Sequence, residues 1–375
     1  MKKLFIKIFI LQALTLFHGN ALTHHSFAAT FSTDEKNTVD GIIKEFRFIN
    51  PHVLITLDVA NDDGSITEWV VEGSSATGWR RNGWSRDSLN TGDKLRINGS
   101  ATLDGSPMIS IDEMFVLNPE NNEVLAKLSP QEDPKLSLGN AIESVPPDSE
   151  KYFLPPYLTS GEPNFTGTTM STPTGGPRGG PDITNYDPPM PYNSLGNQVN
   201  TSEPWNIIND PQVFCDPPGV VRQAGYTPYG QIIRQYPDHI TIEYEEYGSR
   251  RAIFLGNELP RPGVKSHLGD SVARYEGDML IIETVNLLPN HSGHRGRPLS
   301  DEARVIERYT KRDDPDRGTL LMTETTVYDP LFLTEPWTIN RIKLYQQDYD
   351  FIENSCEPPL RERPKNVWQE TEWNF

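Results

Sequence analysis

A break in patterning divides this chain. Between about residues 128 and 204 the alternation of apolar and polar residues stops, and Pro146-Pro147, Pro155-Pro156, Pro163, Pro173, Pro177, Pro181, Pro188-Pro189 and Pro191 lie among Gly, Ser and Thr. Such a composition buries too little apolar area to offset its ordering entropy, so 127–204 reads as an extended linker. No single core runs through such a stretch. Two cores are the consequence, which suits the roughly 350 residues left once a leader is set aside.

The N-terminal unit, 24–126, shows short β-rich runs separated by turn signals. Thr38 to Phe48 leads to Asn50-Pro51-His52, and Val53 to Val59 alternates. Asn61-Asp62-Asp63-Gly64 supplies turn chemistry before a hairpin partner, Ile66 to Glu72. Ser74 to Leu89, with Trp79-Arg80-Arg81 and Gly83-Trp84, breaks the alternation as a short helix or ordered loop. Lys94 to Ala101 and Met108 to Leu117 then flank an Asp104-Gly105 turn. Strands, a helical interruption and strands again is the order of an OB-like barrel. In 205–375 the strand candidates are Gln231 to Arg234, His239 to Tyr247, Arg251 to Leu255, Ser271 to Tyr275, Met279 to Val285, Arg304 to Lys311, Thr319 to Tyr328, Trp337 to Gln346 and Asp350 to Ser355. The chain is therefore expected to be mainly β, its second unit an antiparallel, calycin-like barrel enclosing a cavity, with a sandwich as the competitor.

Lys2, Lys3 and Lys7, an apolar run from Ile8 to Phe17, and the small residues Gly19 and Ala21 read as a secretory signal peptide over 1–23. No later apolar run approaches the ~18 residues a spanning helix needs, so a periplasmic or secreted protein without a membrane span is expected. The chain carries 34 basic and 52 acidic residues, a net charge of -18, and loss of the leader lysines takes this to about -21. That field repels phosphate backbones, so a nucleic-acid partner is not expected. The two cysteines, Cys215 and Cys356, are expected to pair in an oxidising compartment. The closed loop of about 140 residues would add roughly 4 to 5 kcal/mol in the chain-entropy account.

Two constellations carry chemistry. His24, His25 and His52 are candidate ligands for copper or zinc through neutral ring nitrogens, with a terminal amine able to assist. Cleavage after Ala21 would leave Leu22-Thr23-His24 to wrap a square-planar Cu(II), and cleavage after Thr23 would make His24 terminal. The competing reading has these rings packing at the barrel mouth, with His52 bonded to backbone at the Asn-Pro turn. In the second unit His267, His294 and Glu307 supply acid–base groups, and Asp278, Glu302 and Arg304 suit the grip of a polar ligand. Strand carboxylates usually face solvent, and His291-Ser292-Gly293-His294-Arg295-Gly296 reads equally as a polar loop. Neither a Gly-x-Ser-x-Gly elbow nor a His-Glu-x-x-His motif occurs.

His24-His25-Ser26-Phe27, Asn50-Pro51-His52-Val53, Trp69, Glu72-Gly73, Gly83-Trp84-Ser85-Arg86 and Gly92-Asp93 together resemble a family of exported bacterial proteins of unknown function, over about 24–117. His267, Gly269, Tyr275-Glu276-Gly277-Asp278, Glu307-Arg308-Tyr309, Asp329-Pro330 and Pro336-Trp337 resemble a second uncharacterised exported β-domain, from which Tyr275 departs where tryptophan is expected. The resemblance implies export and a two-unit division, and no activity. The functional expectation is binding of a small molecule or metal ion. The competitors are an envelope enzyme acting on a lipidic or aromatic substrate, and a structural tether.

Overall fold

The computed structural model describes residues 30–80, 82–130, 151–171, 188–202, 211–225, 229–260, 262–289 and 296–347, with Tyr349, Phe351, Ile352 and Asn354. The N-terminal unit consists of β1 (Phe31–Arg47), β2 (Leu54–Ala60), β3 (Ile66–Glu72), β4 (Lys94–Thr102), β5 (Met108–Leu117) and β6 (Val124–Leu128), in the order β3-β2-β1-β4-β5-β6. A parallel pairing of β3 with β5 closes the first five strands on themselves, and α1 (Ala76–Arg80) interrupts between β3 and β4. The expected OB-like order is therefore present.

Local chemistry accounts for the turns and bends. Gly64 takes φ of 82° in the β2–β3 hairpin, where Asp63 Oδ1 accepts from the Ser65 amide at 2.9 Å. A Cβ on Gly99 would stand 1.9 Å from the Ser110 carbonyl, so only glycine fits where the β4–β5 register shifts. The core beneath gathers Val39, Ile43, Ile55, Leu57, Leu95 and Ile97 around Trp79 and Trp84, whose ring centroids lie 4.8 Å apart edge to face.

The second unit is a closed barrel of β7 (Gly167–Ser171), β8 (Gln231–Gln235), β9 (His239–Tyr244), β10 (Arg250–Leu255), β11 (Asp270–Glu276), β12 (Met279–Val285), β13 (Arg304–Asp314), β14 (Gly318–Tyr328) and β15 (Trp337–Gln346). Closure excludes the sandwich. Three expectations need correction. The β10–β11 pair is parallel, so the barrel is not wholly antiparallel. Asp350 to Ser355 forms no strand among its described residues, only a bridge from Asn354 to Asn50.

The third correction concerns the expected linker. β7 comes from within it and pairs with β15 on one side and β8 on the other. Its five residues, Gly-Thr-Thr-Met-Ser, are too few and too polar to announce a strand, and pairing on both edges makes one of them. The preceding residues are also anchored: Leu154 donates its amide to Thr319 Oγ1 at 2.9 Å, and Phe165 is fully buried in the barrel core. Further on, Trp337 Nε1 donates to the Pro188 carbonyl at 3.0 Å, ahead of α2 (Ser194–Ser202). Residues 131–150 and 172–187 lie outside the described part.

Inward-facing residues divide the barrel into layers. Leu154, Phe165, Ile233, Ile240, Ile253, Leu280 and Tyr345 fill one apolar end. Val220 and Val221 of α3 (Val220–Gly225) join Leu299, Val305, Val327, Trp337 and Ile339 in a second apolar cluster. Among the described residues no helix is long and apolar enough to cross a membrane.

Candidate functional site

A polar layer lies inside the barrel, and strand alternation explains its composition. Val305, Glu307 and Tyr309 share one face of β13, so the face that buries an aliphatic and an aromatic residue also buries a carboxylate. Glu307 is fully buried, and Arg251 of β10 meets it with Nη2 2.7 Å from Oε2. Arg251 Nη1 donates to Tyr244 OH, and Nη2 donates to Ser271 Oγ and Thr284 Oγ1, each at 3.0 Å. Tyr309 OH donates to Glu307 Oε1 at 2.9 Å. Burial pushes the Tyr244 hydroxyl up to about 12, opposed by Arg251, and burial with the Glu307 charge holds Tyr309 well above the usual phenol range. Both phenols stay protonated, Tyr244 OH accepting from Arg251 and Tyr309 OH donating to Glu307. With Oε1 hydrogen-bonded by Tyr309 and Oε2 in an ion pair with Arg251, Glu307 serves as an electrostatic anchor better than as a mobile proton carrier.

Two of the cavities at the barrel surface bear on Asp278, Glu302 and Arg304. The larger, about 430 Å³, is lined by Glu302, Arg304, Tyr328, Leu333, Thr334 and Pro336, among others. Arg304 forms an ion pair with Glu283, Nη1 2.8 Å from Oε1, and lays its guanidinium over the Tyr328 ring, 5.0 Å from the centroid. The cavity floor is held rigidly: buried Asp329 accepts from Ser300 Oγ at 2.6 Å, the Ser300 amide at 2.7 Å and the Phe332 amide at 3.1 Å. The smaller cavity, about 170 Å³, includes Asp278, Tyr157 and Lys311, with Tyr157 OH donating to Asp278 Oδ1 at 2.8 Å. Asp278 precedes the first residue of β12, whereas Arg304 starts β13 beside the last residues of β12. At ~3.3 Å per residue the strand holds them roughly 20 Å apart. Glu302 and Arg304 share a site, and Asp278 belongs to another.

His267, proposed with Glu307 as an acid–base residue, precedes β11 and pairs with Asp216, its Nε2 3.5 Å from Oδ2. It and Glu307 engage different partners. His294 lies outside the described residues, as do His24, His25 and Cys356. His52 Nδ1 lies 3.1 Å from the Gly73 carbonyl, an acceptor that requires the ring proton on Nδ1, and 3.6 Å from Glu72 Oε1. Burial raises the Glu72 pKa, partly offset by His52. A Cβ on Gly73 would meet the Trp79 ring at 2.6 Å, so the Asn-Pro-His, Glu-Gly and Trp positions form one packed knot. Among the described residues no group of three or more His, Cys, Asp or Glu side chains is placed to hold a metal ion.

Arg251, Tyr244 and Lys343 escaped sequence reading. On β15 one face carries Trp337, Ile339, Arg341, Lys343 and Tyr345, and the other Thr338, Asn340, Ile342, Leu344 and Gln346. Both faces mix apolar with polar residues, so period-2 patterning cannot say which is inside.

Residues 13–108 match a family described as "Family of unknown function (DUF6152)". The match falls on the N-terminal unit and stops short of the barrel. No curated protein and no solved structure shows a significant match to the chain.

Proposed function

We propose that this is an exported envelope protein whose C-terminal barrel binds a small organic molecule in the cavity formed by Glu302, Arg304, Tyr328 and Leu333. The observation that carries the reading is that cavity. It combines about 430 Å³ of space, a Tyr328 face with a stacked guanidinium, and apolar walls from Leu333 and Pro336, resting on a hydrogen-bonded turn. Such a surface favours a ligand with a flat apolar body and a polar end. Export is supported by the leader-like start. Among the described residues no cysteine is free, and Cys356 is the only other cysteine, which favours a Cys215–Cys356 bridge. Their segments approach adjacent residues: Gln212 Nε2 donates to Glu246 Oε1 at 2.5 Å, and the Ile352 amide to Glu245 Oε1 at 2.8 Å.

The test is fluorescence titration with 8-anilinonaphthalene-1-sulfonate, an aromatic anion, on the wild type, Arg304→Ala and Pro336→Trp. The expected result is saturable binding weakened at least about tenfold by either change, with the far-UV circular dichroism spectrum retained. Equal affinity in all three proteins would overturn the assignment.

A further inference from the structure

We propose that the barrel interior holds a small oxyanion, bound by Lys343, Gln231, Thr169 and Thr323, at a site separate from the Arg304 cavity. Lys343 is 2% exposed and points inward from β15, between Leu321 of β14 and Ser171 of β7. Of the three donors on its ammonium, one is used among the described residues, in a 3.1 Å hydrogen bond to Gln231 Oε1. That bond fixes the amide. A lysine only donates, so the oxygen of Gln231 must face it, and Nε2 is turned toward other space.

Gln231 Nε2 then meets no acceptor, and neither Thr169 Oγ1 nor Thr323 Oγ1 has a partner among the described residues, although all three atoms are buried. Thr169 lies directly opposite Gln231 in the β7–β8 pair, and Thr323 is diagonal to Lys343 across β14–β15. Four neighbouring strands thus present an ammonium, an amide N–H group and two hydroxyls on one inward face. Buried polar atoms without partners are uncommon, and several together around a buried cation mark a place where something is bound.

The nearby carboxylates do not fill this role. Glu245 takes the Gly230 amide, the Ile352 amide and Tyr349 OH, each at 2.8 Å. Glu246 accepts from Gln212, and Glu307 belongs to Arg251 and Tyr309. Donor groups around an ammonium repel a cation and leave an apolar guest unrewarded. An anion with two to four oxygens accepts from the amide, both hydroxyls and the ammonium together, adding direct hydrogen bonds to the attraction that Glu246, Glu245 and Glu307 already exert on Lys343. Carboxylate and phosphate groups share this chemistry. Burial has meanwhile lowered the Lys343 pKa to about 8, with Glu246 and Glu245 opposing the shift, and a bound anion would restore full protonation.

An enclosed site is best probed where the fold itself equilibrates. Ligand binding to the folded state alone raises the unfolding temperature, however slowly the native barrel admits the ligand. The experiment measures unfolding temperature for the full chain against sodium phosphate and, separately, sodium acetate, at constant ionic strength set with sodium chloride. Wild type, Lys343→Met and Thr323→Val are compared. The expected result is a rise with one or both oxyanions in the wild type, at least about tenfold more anion needed for the same rise in Thr323→Val, and none in Lys343→Met. The responding arm then identifies the anion class. If Lys343→Met does not fold, the comparison of Thr323→Val with wild type decides alone. A flat wild-type response to both anions, as for an interior holding water only, would overturn the proposal. So would equal responses in the wild type and the variants.

Discussion

At the scale of single residues, the buried Arg251–Glu307 pair governs how the barrel responds to substitution. Both groups have left water, and their attraction offsets that loss only while both are present. Arg251→Met should therefore cost about 3–5 kcal/mol in urea unfolding, and adding Glu307→Leu should recover most of it. Additive losses in the double variant would contradict this account. Glu72 behaves differently. Its folded pKa is raised above the ordinary 4.5 by burial. The folded state therefore binds the proton more tightly than the unfolded chain, and stability falls as pH rises through the raised value. Glu72→Gln should match the wild type in acid, where both side chains are neutral, and exceed it at pH 7. A thermal-unfolding series across that range checks the sign.

Lys343 extends the same reasoning to alkaline pH. Its folded pKa of about 8 lies below the ordinary 10.5, so its burial penalty applies in full below pH 8 and fades as pH rises toward 10.5. In anion-free buffer the stability advantage expected of Lys343→Met at pH 7 should shrink over that window. A constant difference would mean that Lys343 does not titrate with a lowered pKa.

At the scale of elements, strand existence was legible and strand partnership was not. Ile66–Glu72, Met108–Leu117, Met279–Val285 and Trp337–Gln346 have the bounds their alternation predicts. β7 had no such signal, because Thr168 and Thr169 are β-formers only in the company of β8 and β15. The parallel β10–β11 contact was equally hidden, since local patterning carries no strand direction. One consequence is measurable: a chain beginning at residue 205 lacks β7 and should not unfold cooperatively, whereas one beginning at Lys151 should. Cooperative unfolding of the shorter chain would show that closure does not need β7.

At the scale of the whole molecule, the last described residues join the two units. Tyr349 OH reaches buried Glu245 of the barrel while Arg80 of α1 lies over its ring, 4.5 Å from the centroid. Ile352 is buried in the core of the N-terminal unit. Ile352→Asp should lower N-terminal stability by about 2–4 kcal/mol and separate the calorimetric unfolding of the units, a change the barrel's own core would not feel.

The candidate site was legible in part for the same reason of scale. Glu302 and Arg304 are close in sequence and meet in one cavity, while Asp278 is set about a strand's length away by pairing that sequence spacing does not reveal. The central claim is that the Arg304 cavity is where this protein takes its ligand. Amide hydrogen exchange of the full chain, with and without saturating 8-anilinonaphthalene-1-sulfonate, tests it most directly. Slowed exchange confined to 302–304 and 328–336 is the predicted result. Protection confined to the N-terminal unit, or none at all, would contradict it.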